Sequence, residues 1–307
     1  MLALTFPGQG SQRPGMGSAW TGTPSWALVD RASAVVRRDV AALLLDADAE
    51  ELRATRNAQL TTFVASLVAL DALRAAGLPE PDGAAGHSLG EYTALTAAGA
   101  LAFEDGVRLV AARGEAMQAA ADARPGTMAA VLGLDVAEVQ SVCEGVDEAW
   151  VANDNAPGQV VVAGSAAGVE AAGVAAKERG ARRVMPLPVG GAFHTPLMAA
   201  AAEGLRAALA GVALTDPRPP VVANVDAAPH GAGDDWQGLL ADQLCRPVRW
   251  RPTLEHLGTA AGDGPLTLVE IGPGGVLTGM AKRTLPTARA LTVSEPDHVE
   301  AVLAPLG

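Results

Sequence analysis

Only two cysteines, Cys143 and Cys245, occur in the 307 residues, and no C-x-x-C pair is present. That argues against a disulfide scaffold or a structural zinc site and fits a reducing compartment. Rings are equally scarce: Phe, Trp and Tyr supply 3% of the chain, against 49% for hydrophobic residues as a whole. The core must therefore be built from Ala, Val and Leu. Bases are short too, with 22 Lys and Arg against 34 Asp and Glu and a formal charge of −12. Such a balance argues against nucleic acid or an anionic membrane as partner, while leaving room for a local basic patch. No uncharged apolar run reaches the roughly 18–20 residues that span a bilayer. The start, Met1 to Pro7, lacks the basic and long apolar regions of a signal peptide. The expectation is a soluble cytoplasmic protein, long enough for one large domain or one plus a smaller insert.

What is present centres on Gly86-His87-Ser88-Leu89-Gly90. It reads G-x-S-x-G, between a short apolar approach (Gly83 to Ala85) and a helix-like run (Glu91 to Leu101). A serine on a sharp strand-to-helix turn projects its hydroxyl from the backbone, and flanking glycines tolerate the close packing that such a turn demands. The helix that follows aims free N–H groups and its positive end at the same spot, where an oxyanion would be stabilised. Taken alone, the motif is equally compatible with an ordinary Gly/Ser turn.

Around it, Leu2 to Phe6 reads as a strand ended by the glycine-rich Pro7-Gly8-Gln9-Gly10 loop, and Thr61 to Ala75 and Phe103 to Ala121 read as core helices. From about Ala123 the texture changes. Strands at Thr127–Leu134, Trp150–Asn153, Gln159–Ala163 and Arg182–Val189 alternate with helices at Val136–Glu144 and Ala166–Arg179. The order β-α-β-β-α-β is the split βαβ pattern of a ferredoxin-like unit. The fold expected is α/β: a large α/β-hydrolase-like domain with a parallel sheet (residues 1–123 and 191–307) and an inserted small ferredoxin-like domain (124–190). Later, Thr195 reads as an N-cap with Pro196 at the first helical position, Pro220–Val225 and Leu266–Ile271 as strands, and Gly272 to Gly275 as the opening of a helix to about Thr284.

Ser88 needs a base. His87 is adjacent, but neighbours on an extended approach point to opposite sides. His230, His256 and His298 sit in polar loop, surface-helix and C-terminal settings. His194 differs: it follows an apolar strand and a Gly190-Gly191 break and immediately precedes a helix start. No Asp or Glu stands out as a third member, which leaves a backbone carbonyl or an amide to orient the ring. Arg113 lies in the apolar stretch Leu109 to Gly114. A guanidinium there must find an anion or a carbonyl cluster, either a structural ion pair or a substrate carboxylate held bidentately.

These segments, in order, resemble the malonyl-CoA:acyl-carrier-protein transacylases and the related acyltransferase domains of polyketide synthases. The similarity runs through Phe6-Pro7-Gly8-Gln9-Gly10-Ser11-Gln12, Gly86 to Glu91, Arg113-Gly114 with Met117-Gln118, and Asn155-Ala156-Pro157-Gly158-Gln159-Val160-Val161. It continues through Gly191-Ala192-Phe193-His194-Thr195-Pro196, Pro247-Val248-Arg249-Trp250 and Glu270-Ile271-Gly272-Pro273-Gly274-Gly275, nearly the whole chain. The resemblance implies Ser88 as nucleophile and His194 as general base and then acid. It implies the backbone N–H groups of Gln9 and Leu89 as oxyanion hole and Arg113 as the malonyl carboxylate's partner. Gln243 would hold His194 through its main-chain carbonyl. Phe193 matches the malonyl-selecting form of its motif, although a ring that merely packs between domains reads the same way. One departure is visible: Gln59-Leu60 stands where many relatives have Gln-Pro, so the start of that helix is expected to differ, with Gln59 facing the site but not catalytic.

The implied reaction exchanges one thioester for another through an oxygen ester and calls for no metal or redox cofactor. The implied partners are malonyl-CoA and an acyl carrier protein, without nucleic acid or membrane. Carrier proteins are usually acidic, so docking would use local bases: Lys177, Arg179, Arg182 and Arg183, or Arg246, Arg249, Arg251, Lys282 and Arg283. Singly, each is equally a solvated charge. The rival readings are a serine esterase or thioesterase, a non-catalytic carrier-protein scaffold, and a stand-alone polyketide acyltransferase with another acyl substrate.

Overall fold

Every residue of the first strand, β1 (Leu2–Phe6), is buried, as an apolar run flanked on both sides by parallel neighbours must be. The computed structural model describes residues 1–231 and 233–306. The remaining strands, in chain order, are β2 (Gly83–Gly86), β3 (Thr127–Leu132), β4 (Ala149–Ala156), β5 (Gln159–Gly164), β6 (Arg183–Pro186), β7 (Val221–Val222), β8 (Pro229–His230), β9 (Thr267–Ile271) and β10 (Arg289–Val293). They form two sheets, ordered β10-β9-β1-β2-β7-β8 and β4-β5-β3-β6.

The six-stranded sheet is parallel from β10 to β7, and only the short β7–β8 hairpin turns back. Its register matters for function. Phe6 pairs with Gly86 at the carboxyl ends of β1 and β2, so the Pro7–Gln12 loop and the Ser88 turn leave the sheet side by side. Loops outside the carboxyl ends of parallel strands are where α/β proteins build their sites.

Two long helices, Thr55–Ala75 and Phe103–Ala123, pack against each other beside this sheet. The first is long and apolar enough to cross a membrane, yet most of it is buried inside the protein. It begins at Thr55 rather than Thr61, because Gln118 accepts a hydrogen bond from the Thr55 N–H and Asn57 is tied to the Glu51 carbonyl. Leu60 keeps the N–H that a proline would lack, so the helix runs through Gln59 without a break. The helix after the Ser88 turn ends sooner than its composition suggests, at Ala97, because Gly99 turns left-handed at φ +72°.

The four-stranded sheet is antiparallel throughout, and all of it lies within 124–190. Its strand order and its two helices, Val136–Glu144 and Ala166–Glu178, are those of the split βαβ unit. Asp135 and Glu138 form a capping box on the first helix, and Ser165 caps the second. Alternation divides the sheet's faces: Val131, Val151, Val160 and Val162 pack under the helices with Val139, Val142 and Ala172, whereas Met128, Ala130 and Val161 face the large body. Its last strand is shorter than the Arg182–Val189 run, since Pro186 and Pro188 have no N–H to donate. Asp154 of β4 is paired with Arg251 at 2.8 Å, tying this sheet to helix Trp250–Ala260.

Candidate active site

Ser88 sits at φ +53°, in the left-handed region that non-glycine residues seldom enter. The turn around it leaves no room for side chains. A Cβ on Gly86 would lie 1.9 Å from the Gly90 carbonyl, and one on Gly90 would lie 2.1 Å from the Phe6 oxygen. Asn224, just beyond β7, clamps the turn from below: its Oδ1 accepts from the Ser88 N–H and its Nδ2 donates to the Gly86 carbonyl, both at 2.7 Å. Backbone strain of this kind persists only where surrounding contacts over-determine it.

His194 also has a left-handed backbone, φ +62°. The Thr195 hydroxyl donates to the Ala192 carbonyl at 2.7 Å and fixes that bend, while the same residue caps the short helix Pro196–Met198. The result brings Nε2 to 2.8 Å from Ser88 Oγ, across 106 residues of sequence. On the ring's other side Nδ1 donates to the Gln243 main-chain carbonyl at 2.7 Å. That bond puts the proton on Nδ1 and leaves Nε2 bare to take one from Ser88. Burial, and then the Arg113 charge, push His194 down to about 3, so the ring is neutral at pH 7.

Arg113 is 1% exposed. Its guanidinium donates to Gln59 Oε1 (2.7 Å), Gln243 Oε1 (2.7 Å) and Ser88 Oγ (3.0 Å), and lies 5.4 Å from the centre of the Tyr92 ring. Among the described residues it makes no ion pair, and its Nε has no partner. The structural-ion-pair reading of Arg113 is thereby set aside: the oxygens that hold the cation directly are all neutral. Burial moves its pKa down.

Gln9, Ser88, Arg113, Phe193 and His194 all line one cleft of about 470 Å³ between the two sheets. At the turn itself, the His87 N–H goes to the Phe6 carbonyl, the Ser88 N–H to Asn224 and the Gly90 N–H to the His87 carbonyl. Among the described residues the Leu89 N–H has no protein acceptor. Gln9 stands on the opposite loop after β1. Phe193 is 5% exposed, packed in the core and lining the cleft. The small sheet contributes Met128, Ala130, Asn153, Asn155, Gln159 and Val161 to the walls.

His87 reaches the cleft but does not serve Ser88. Its Nε2 pairs with Asn155 Oδ1 at 2.8 Å, and its ring meets Trp250 edge-on at 5.6 Å. His230 is bound by Asp226 and Asp234, His256 lies on helix Trp250–Ala260, and His298 lies beside Ser294. Several of the candidate docking bases are already engaged: Arg251 with Asp154 and Glu255, Arg246 with Asp242, and Arg283 with Gln159 and the Pro157 carbonyl.

Three more buried polar residues lie at the centre: Gln59, which the sequence already set facing the site, and Asn224 and Glu91, to which it gave no role. Gln59 is fully buried against Arg113, and Asn224 holds the turn. Glu91, the residue after Gly90, is 1% exposed and accepts from Gln243 Nε2 and the Asn224 N–H. Burial pushes its carboxyl up to about 8, against the pull of those two donors and of Arg113. The one available sign was an acid heading an otherwise small, apolar helix.

A serine on a strand-to-helix turn, an imidazole from a distant segment and a buried cation facing the same cleft are the equipment of an acyl-transfer enzyme. A family model described as an acyl transferase domain matches residues 4–304, and the chain belongs to that family. The malonyl CoA-acyl carrier protein transacylase of Bacillus subtilis (strain 168) is 41% identical over 311 residues, covering 99% of this chain and 97% of that protein. The protein of the same name from Escherichia coli (strain K12) is 42% identical, with 98% of each chain covered. A solved structure of a type II PKS acyl-carrier protein in complex with its malonyl-transacylase matches with a TM-score of 0.94 at 38% identity, covering 99% of each chain.

Proposed function

We propose that this chain moves a malonyl group from malonyl-CoA to the phosphopantetheine thiol of an acyl carrier protein through an ester on Ser88, supplying extender units for fatty acid or polyketide synthesis. The observation that carries the reading is the position of Ser88 Oγ, 2.8 Å from His194 Nε2 and 3.0 Å from the Arg113 guanidinium. One hydroxyl is thus served by a neutral base and stands beside a cation that, among the described residues, forms no ion pair.

In the first half-reaction His194 Nε2 takes the Ser88 proton as Oγ attacks the thioester carbonyl. The charge that forms on the carbonyl oxygen falls between the N–H groups of Gln9 and Leu89, and losing one such donor typically costs about 10²–10³ in rate. His194 then protonates the departing CoA sulfur. In the second half the carrier thiol gives its proton to His194 and attacks the Ser88 ester, reversing the same steps. The malonyl carboxylate pairs with Arg113, whose planar fork matches it. That pairing also offsets the charge that depresses His194, so binding of a dicarboxylic acyl group strengthens the base that must act on it. An acetyl group does neither, and sites built to pair reject the partner-less analogue by about 10⁴. All these steps use the chain's own groups. A CoA thioester and a carrier protein are cytoplasmic substrates, and the free thiols of Cys143 and Cys245 suit a reducing compartment.

The test mixes the enzyme with malonyl-CoA and holo-carrier protein and weighs the carrier by mass spectrometry. Malonyl-carrier is the expected product; free malonate with no loaded carrier would instead make the protein a hydrolase.

A further inference from the structure

Glu91 lies outside the chemistry just described, yet it sits under every part of it. Its two carboxyl oxygens face two donors: Oε1 the Asn224 N–H at 3.3 Å, Oε2 the Gln243 side-chain amide. Asn224 is the residue that clamps the Ser88 turn. Gln243 is the residue whose main-chain carbonyl orients His194 and whose Oε1 holds Arg113. Gln243 Nε2 also donates to the Ser88 carbonyl at 2.9 Å.

A primary amide has two nearly isosteric orientations, and only its partners choose between them. Here the Glu91 carboxyl and the Ser88 carbonyl both accept from one end of Gln243, which makes that end the NH2. The other end, facing the guanidinium, is therefore the oxygen. The opposite orientation would set an oxygen against two oxygens and an NH2 against a cation, all buried. From this we infer that Glu91 is a positioning residue for the transfer reaction. Through the Gln243 side chain it holds the guanidinium in its place beside Ser88 and His194, and it touches no substrate. Both of its oxygens are needed: each can accept in the neutral as in the ionised acid, whereas a glutamine in its place has one acceptor for two donors.

The inference rests on the malonyl-transfer reading, and the experiment separates the two. Ser88 loading is followed by intact mass with malonyl-CoA and with acetyl-CoA, for the wild type, Glu91→Gln, Gln243→Leu and the double variant. Glu91→Gln is expected to raise the malonyl-CoA KM and lower its kcat/KM by tenfold or more, with acetyl loading changed less than threefold, because the guanidinium is what loses its register. In the Gln243→Leu background the same change should have little further effect. Equal changes for both acyl groups, or full additivity of the two substitutions, would overturn the positioning role. If Glu91→Gln does not fold, Glu91→Asp, which keeps both oxygens on a shorter arm, takes its place with the same two criteria. A wild type that loads no malonyl rejects the function itself; a wild type that loads beside a Glu91→Gln enzyme indistinguishable from it rejects only this inference.

Discussion

The two sheets divide the labour unequally. The parallel sheet and its helices bring Ser88, His194, Arg113 and Gln9 together, while the antiparallel sheet lends the cleft walls only: two apolar strand faces and the polar tips of Asn153, Asn155 and Gln159. The difference follows from geometry. Parallel strands all end at one edge, so loops far apart in sequence converge there, whereas antiparallel strands alternate their ends and present a smooth face. The same contrast appears in how charge is handled. Arg113 is buried among neutral oxygens and, among the described residues, forms no ion pair, whereas Arg251, which joins the sheets, is neutralised by Asp154 and Glu255.

If this division is right, substitutions in the parallel body should stop chemistry and those in the small sheet should only weaken binding. The largest effect is expected for Ser88→Ala, which should abolish the malonyl adduct in intact mass and reduce transfer by at least about 10³. His194→Ala follows, slowing Ser88 loading by roughly 10²–10⁴ in a stopped-flow or quench assay. Arg113→Ala should cut kcat/KM for malonyl-CoA by a comparable factor, about 10²–10⁴, while acetyl-CoA gains relative to it. Unchanged malonyl kinetics in that variant would remove the carboxylate partner from the account.

The pH dependence sharpens the point further. The base role proposed for His194 requires the unprotonated ring, and its pKa is pushed down to about 3. The kcat/KM of loading should therefore stay level from pH 7 down to about 5, where an ordinary histidine of pKa near 6.5 would already be protonated. Stability carries the matching sign. An unfolded histidine takes up a proton below about pH 6.5 that the folded ring refuses, so His194 makes the fold less stable on acidification from there toward 3. His194→Asn should flatten that part of the Tm–pH curve.

The smallest effect belongs to the joint between the sheets. Arg251→Ala removes the Asp154 pair and should cost roughly 1–2 kcal/mol in a denaturant melt, raising KM for CoA substrates with Ser88 loading intact. A loss of loading as complete as that of Ser88→Ala would break the division of labour proposed for the sheets.

Much of this was legible without coordinates, for reasons that differ along the chain. The split βαβ order could be read because each strand and helix declares its period locally, and Asp135, Ser165 and Thr195 mark helix starts with their own side chains. Strand lengths were overdrawn where a backbone detail ended pairing early, at Gly133 (φ +101°) after β3 and at the prolines of β6. The edge strand β10 was missed; its residues are mostly half-exposed and show no clean alternation. At the site, Ser88 and His194 stood out because each needs an unusual backbone that glycines and a capping threonine announce nearby. The main-chain carbonyl of Gln243 came from resemblance alone. The side-chain roles of Gln59, Glu91, Asn224 and Gln243 had no such announcement.

The amino-acid order alone determined which residues could act: a hydroxyl between two glycines, a histidine before a helix start, an arginine in an apolar helix. Those are demands of the local backbone, met by residues a few positions away. Tertiary structure decided which of them work together and in what electrical state. Gln243 bonds the Ser88 carbonyl across 155 residues and Arg113 across 130, separations at which no periodicity survives. Burial in the finished core then makes His194 neutral and leaves Arg113 held by neutral oxygens, because the cost of desolvation exists only once the chain has closed around them.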